Sequence, residues 1–220
     1  MAVKDARVYR ASQDAVTARI RTAIVNGDLV PNQRMIEADL CSEFDASRSV
    51  VRAALHDLAV EGLVEKIQNR GARVRAVSPA EAGEITEICI AIEGLCAAKA
   101  TENITDAEIA ELAALRAELI TAAETRDAFA YSRLDHRLHN QIRALSGNRT
   151  AGMVLDRLRA QVAHHESKWG MHPDQMRRAL PDHLAVIDEI CARRPEQAET
   201  AMCRLLNGLA GMTRAAAAPG

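Results

Sequence analysis

Two pairs of side chains, each four residues apart, hold most of the chemistry this sequence can offer. Arg48 and Arg52 stand with Ser47 and Ser49 behind the turn Asp45-Ala46. On a helix that spacing stacks the two arginines on one face. Arginine can read guanine bidentately or bind phosphate, and serine hydroxyls serve bases or phosphates. A solvated face, with the arginines paired to Asp45 or Glu43, has the same spacing. Asp135 and His139 form the second pair, and His183 lies further along the chain. A carboxylate and two imidazoles meeting in a helical core can hold a divalent cation such as Zn, Mn or Ni. An ordinary Asp–His hydrogen bond on a helix surface has that spacing as well.

Whatever positions these residues has to be mostly helix. The chain has 220 residues, 48% hydrophobic and 26% charged, with only 2% aromatic. It is rich in Ala, Leu, Arg and Glu, all good helix formers. No apolar run approaches the roughly 20 residues that span a bilayer, and Met1–Arg10 has no signal-peptide core. The five cysteines are scattered, with no CxxC pair, so free thiols in a reducing cytoplasm are expected. Residues 1–77 hold 12 Lys and Arg against 10 Asp and Glu, and the remainder 16 against 20. That small asymmetry permits a nucleic-acid-binding front half without requiring one.

The front half reads as three helices and a ribbon. Val16, Ile20 and Ile24 give residues 12–26 a helical face that stops at Asn26-Gly27-Asp28. A short helix follows from about Glu37 to Phe44. Ser47 is placed to cap a helix from Arg48 to about Val60, with Val51, Leu55 and Leu58 inward. Residues 63–67 and 72–77 alternate around a turn at Gln68–Gly71, which predicts a two-stranded hairpin. Helix, helix-turn-helix, hairpin is the order of a winged helix-turn-helix, whose second helix of the pair enters the major groove.

Residues 12–77 resemble the GntR family of bacterial transcription regulators. The likeness runs through Ile20–Leu29 with Pro31, Arg34-Met35-Ile36-Glu37 with Leu40, Ala46–Leu55, Glu61-Gly62-Leu63-Val64 and Arg70-Gly71-Ala72-Arg73-Val74. Asn32 replaces a usual Gly, and Val50 a common Pro or Thr. The resemblance implies that Arg48 and Arg52 read DNA, that Ser47 and Ser49 contact phosphate or bases, and that Arg70 with Gly71 forms a wing tip in the minor groove.

After residue 77 no strand signal remains, and a bundle of about six antiparallel helices is expected. Ser78-Pro79-Ala80-Glu81 opens a helix with Ile85, Ile88, Ile92, Leu95 and Cys96 on its apolar side. Thr105–Glu108 reads as a capping box for a second helix. Asp127 caps a third that carries Phe129, Leu134, Leu138 and Ile142. A fourth runs from Asn148 to about Trp169, residues 170–180 read as irregular, and two more start near Pro181 and Pro195. The expected architecture is therefore mainly α, with a winged helix-turn-helix domain over 1–77 and an antiparallel all-α bundle over 78–220.

Leu134–His139 with Ser146-Gly147-Asn148, and Asp182-His183, are similar to the FCD ligand-binding domain of the FadR subfamily. The likeness spans residues 80–212. It implies a homodimer and a divalent metal on Asp135, His139 and His183. The usual fourth ligand, a His three residues after a Met, is Leu205 here, and Cys89 stands where an arginine is common. A neighbour such as His164, water or an effector carboxylate could complete the set. The expected function is a DNA-binding transcription regulator, of the repressor kind, on a palindromic operator in double-stranded DNA. A small carboxylate bound by the bundle would control it. A metal-dependent hydrolytic enzyme using the Asp/His cluster is the rival, although no nucleophile elbow, phosphate loop or HExxH pattern appears. A DNA-binding protein whose bundle serves only dimerisation is the third reading.

Overall fold

The computed structural model describes residues 11–67, 71–166 and 173–217. The chain divides into two compact units, residues 1–78 with 160–167, and residues 79–159 with 168–220.

The first unit begins with α1 (Gln13–Asn26), capped by Ser12, whose hydroxyl accepts from the Ala15 N–H. α1 ends where Gly27 turns left-handed, and β1 (Arg34–Met35) follows. α2 (Glu37–Glu43) and α3 (Arg48–Val60) form the helix-turn-helix pair. Asp45 makes the tight turn between them with φ +48°, a conformation that Asp tolerates better than most residues. β2 (Val64–Ile67) and β3 (Gly71–Val74) complete the wing. The sheet has three strands in the order β1-β3-β2, all antiparallel, not the expected two. β1 has only two residues, too few for alternation to show in the sequence. α1 packs on α3. Val16, Ile20, Val51 and Leu58 are fully buried between the elements, each contributing on the order of 1.5–3 kcal/mol through burial.

The second unit is a bundle of α4 (Pro79–Asn103), α5 (Asp106–Glu124), α6 (Ala128–Leu145), α7 (Arg149–Glu166, up to Arg159 in this unit), α8 (Pro173–Cys191) and α9 (Pro195–Ala217). The Thr105–Glu108 capping box opens α5, and Asp127 caps α6 by accepting from the Ala130 N–H. α9 lies along both α4 and α8. Among the described residues no strand follows β3, and no helix is long and apolar enough to cross a membrane.

Three expectations about the bundle change. α8 starts at Pro173, so residues 173–180 are helical and Pro181 sits inside the helix. An interior proline removes one backbone hydrogen bond and crowds the preceding turn. Here Met176, Ala179, His183, Val186 and Ile190 are all buried along one stripe, and that burial outweighs the break. On α4, Ile88 and Leu95 are exposed, while Ala82, Ile85, Cys89, Cys96 and Ala97 face the core. α4 is apolar on nearly every side, so sequence periodicity could not choose between faces. On α6, Phe129 is exposed and stacks under Arg133, and Tyr131 is the aromatic residue that is buried. Trp169 and Arg70 lie outside the described residues.

Candidate nucleic-acid interface and candidate metal centre

α3 is amphipathic along its whole length. Val51, Ala54, Leu55 and Leu58 turn inward, while Arg48, Ser49, Arg52 and His56 are exposed. Arg48, Arg52 and His56 follow one another at four-residue steps, one row on the helix surface. The Ser47 hydroxyl accepts from the Val50 N–H at 3.3 Å and lies 2.9 Å from the Ser49 hydroxyl. Ser47 therefore fixes where the helix begins, and Arg48 follows on its first turn. Arg52 is paired with neither Asp45 nor Glu43. Its Nε lies 3.0 and 2.8 Å from the two carboxylate oxygens of Glu37, the first residue of α2. Lys66 of β2 donates to His56 Nδ1 at 3.1 Å and so ties the wing to the far end of this row.

Gly71 opens β3 with φ +88°, and a Cβ there would meet the Met35 carbonyl oxygen at 2.9 Å. The left-handed backbone and the close approach of β1 both require glycine here. Arg34 and Arg73 are paired across β1 and β3, and Arg73 also donates to Glu65 at 2.8 Å.

In the bundle, α6 and α8 bring Asp135, His139 and His183 together. His139 and His183 are buried, with side chains 3% and 0% exposed, and Asp135 is nearly so. Asp135 Oδ1 lies 2.7 Å from His183 Nε2 and 3.5 Å from His139 Nε2. The Ala179 carbonyl is 2.9 Å from His183 Nδ1, and the Tyr131 hydroxyl 3.1 Å from the same nitrogen. His139 Nδ1 lies 3.5 Å from Glu93, a carboxylate with no exposed surface. Arg159 donates to Glu93 at 2.7 Å, and the Arg143 Nε stands 3.9 Å away.

Spacing on single helices did not announce Glu93, Tyr131, Arg143 and Arg159. One signal was present. Tyr131, Asp135, His139 and Arg143 recur at four-residue steps on α6, a polar row through a buried face. Glu93 was also detectable as a charge between the buried Cys89 and Cys96 of α4.

Burial opposes charge on His139, Asp135 and Glu93, and their partners overcome it. Burial pushes His139 down, but hydrogen bonds from its ring to Asp135 and Glu93 prevail and raise it to about 9. Burial likewise pushes the Asp135 carboxyl up, and hydrogen bonds from His139 and His183 outweigh it, holding the group below the usual carboxylate range. Glu93 is also lowered, against its burial, by the His139 bond and then by the charges of His139, Arg159 and Arg143. Burial and the Asp135 charge push the Tyr131 hydroxyl upward.

Among the described residues, no group of three or more His, Cys, Asp and Glu is already spread into a metal-holding arrangement. Asp135, His139 and His183 are drawn together by hydrogen bonds instead. Their chemistry nevertheless fits a divalent cation. When the Ala179 carbonyl holds the Nδ1 proton of His183, Nε2 presents a lone pair towards Asp135 Oδ1. A proton or a cation has to lie between two such acceptors. Metal-bound histidines are fixed in the same way, by a partner on the ring nitrogen away from the ion. Leu205 is buried and offers no donor atom, and Cys89 is buried on α4.

Comparison with known proteins adds to this geometry. The bacterial regulatory proteins of the gntR family match residues 12–74, and the FCD domain matches residues 84–208. The galactonate operon transcriptional repressor of Escherichia coli K12 is 24% identical over 214 residues, covering 88% of this chain and 93% of its own. The HTH-type transcriptional repressor RspR of the same organism is 25% identical over 195 residues, covering 89% and 86%. Among solved structures, McbR/YncC of E. coli superposes with a TM-score of 0.72 at 19% identity, covering 93% of this chain and 97% of that one. Both of these sequence relatives are named as transcriptional repressors.

Proposed function

Given that the chain belongs to the GntR family of bacterial regulatory proteins and carries an FCD domain, we propose that it is a cytoplasmic, metabolite-responsive repressor acting as a homodimer on a palindromic operator. Arg48, Ser49 and Arg52 read the major groove, with Ser47 holding the start of the helix. Arg70 and Gly71 bring the wing to the minor groove.

The charge balance of the buried cluster carries the effector reading. Asp135, Glu93 and Asp156 supply three negative charges, which Arg143, Arg159 and protonated His139 balance with three positive ones. A divalent cation on Asp135, His139 and His183 would replace the His139 proton and leave one net positive charge. It would supply a Lewis-acidic attachment point for an oxygen ligand. A carboxylate or sugar acid restores neutrality. The similarity to a repressor named for the galactonate operon, galactonate being a sugar acid, agrees with this class of effector. Exposed Ile88 and Leu95 on α4 and Met153 on α7 supply apolar surface for a second copy.

The test starts from a duplex selected out of random sequence by the purified protein. Arg48→Ala and Arg52→Ala each abolish binding to it in salt-matched gel shifts, while the dimer persists in sedimentation; unchanged affinity in both variants sinks the assignment. Salt is matched because phosphate contacts make affinity steeply dependent on ionic strength. A panel of sugar acids and small carboxylates, added with and without a chelator, releases the duplex if the buried cluster works as described. A panel that neither releases DNA nor shifts thermal stability leaves a bundle that only dimerises.

A further inference from the structure

We propose that Glu37 is a positioning residue for base reading: it holds Arg52 by its Nε so that both terminal amino groups of the guanidinium face outward as a fixed fork. The inference rests on the reading of Arg52 as a DNA contact. Glu37 is the first residue of α2, on a different helix from Arg52, and its backbone is set by the helix-turn-helix itself. Both of its oxygens lie on Arg52 Nε, at 3.0 and 2.8 Å, and the pair forms an ion bridge. The Glu37 side chain is only 26% exposed, whereas that of Arg52 is 67% exposed. The carboxylate is thus the anchored partner and the guanidinium the presented one. Among the described residues, Arg52 donates only through Nε, and its Nη1 and Nη2 hydrogens make no hydrogen bond.

Two donor groups pointing the same way suit the O6 and N7 acceptors of guanine. A long side chain pays rotamer entropy to adopt that pose unless it is already held. The carboxylate also has an opposing effect, since a negative charge this near the DNA face repels phosphate. Its presence is costly for binding any DNA and useful for telling sequences apart. Those two consequences have opposite signs, and that makes the role testable.

The probes are the duplex selected by the wild-type protein, single G·C replacements within its half-site, and random-sequence duplex of equal length. Glu37→Gln keeps size and shape but removes the charge that grips Arg52. We expect it to tighten binding to random duplex while the penalty for replacing one G·C pair shrinks by about tenfold, the scale of one bidentate contact. In an Arg52→Lys background, which keeps the charge but has no fork, Glu37→Gln leaves that penalty unchanged. Circular dichroism and thermal melting establish that each variant is folded. If Glu37→Gln is unstable, Glu37→Asp in a folded protein, one methylene too short to hold Nε, carries the same expectation of reduced discrimination. Equal tightening on all duplexes makes Glu37 a mere source of repulsion and overturns the inference. Equal weakening makes it a structural residue and also overturns it. If Arg52→Ala itself leaves discrimination intact, the reading of Arg52 fails instead, and the two failures are told apart.

Discussion

α3 and α6 use the same device to opposite ends. Arg48 and Arg52 on α3, and Asp135 and His139 on α6, are charged or polar pairs four residues apart. The first pair is exposed and the second is nearly sealed from solvent. Helical spacing decides that two side chains share a face. The residues around them decide whether the face looks out or in. Val51, Leu55 and Leu58 lie off the arginine row and pull the opposite side of α3 into the core. On α6, Tyr131, Leu138 and Ile142 surround the Asp–His pair and take it inside. Exposure leaves the arginines needing little from the protein beyond one carboxylate. Burial obliges the Asp–His pair to recruit Glu93, Tyr131, Arg143, Arg159 and a backbone carbonyl.

That contrast breaks most readily at Glu93. Replacing it with Ala leaves Arg159, Arg143 and His139 without their shared counter-charge. A loss of about 3–5 kcal/mol is expected in denaturant unfolding, as for other broken buried pairs. Arg48→Ala and Arg52→Ala, on the exposed helix, should stay within about 0.5 kcal/mol of wild type. Similar losses at both places would erase the distinction.

Titration separates the two regions next. His139 is raised from 6.5 to about 9 in the folded protein. Its protonation therefore contributes stability in full below pH 6.5, and that contribution is lost as pH rises through about 9. Melting temperatures of chelator-treated protein should decline across this window, and His139→Gln should flatten the decline. A decline of equal size in His139→Gln would assign it elsewhere.

Smaller effects sharpen the local picture. Ser47→Ala removes the cap of α3 and should cost about 1 kcal/mol, with operator affinity falling alongside because Arg48 starts from that turn. Asn32 holds φ +66°, which explains why glycine suits this position. Asn32→Gly should change stability by no more than about 1 kcal/mol, upward if relief of backbone strain exceeds the added freedom of the unfolded chain.

The sequence displayed the outward-facing region far better than the inward-facing one. α3 spans Arg48–Val60 with Ser47 as its cap, as its periodicity and capping residue indicate. The short strand β1 escaped because two residues have no period, and with it escaped the backbone contact that adds to the turn's own need for glycine at Gly71. In the bundle, Asp135, His139 and His183 were visible as residue types. Glu93 lies 46 residues from His139 and 66 from Arg159, and no local pattern joins positions that far apart. Pro181 misled for a related reason: proline marks a helix start by local rules, and only the packing of Met176 and Ala179 carries α8 through it. Glu37 was visible as part of the resemblance to GntR regulators, but its grip on Arg52 follows from the fold of the turn.

The placement of α9 along α4 has a consequence for biosynthesis. α4 is the first helix of the bundle, and its long partner α9 is made only after α5 to α8. The face of α4 that α9 covers therefore waits for it while residues 104–194 are made. Most of the front unit, by contrast, comes from residues 1–78, so its helices and wing can assemble while the bundle is still being translated. During each round of synthesis a DNA-reading head can exist before the part that would regulate it. A message cut short before α9 would leave that head attached to an open, sticky bundle, a fitting substrate for chaperones and proteases.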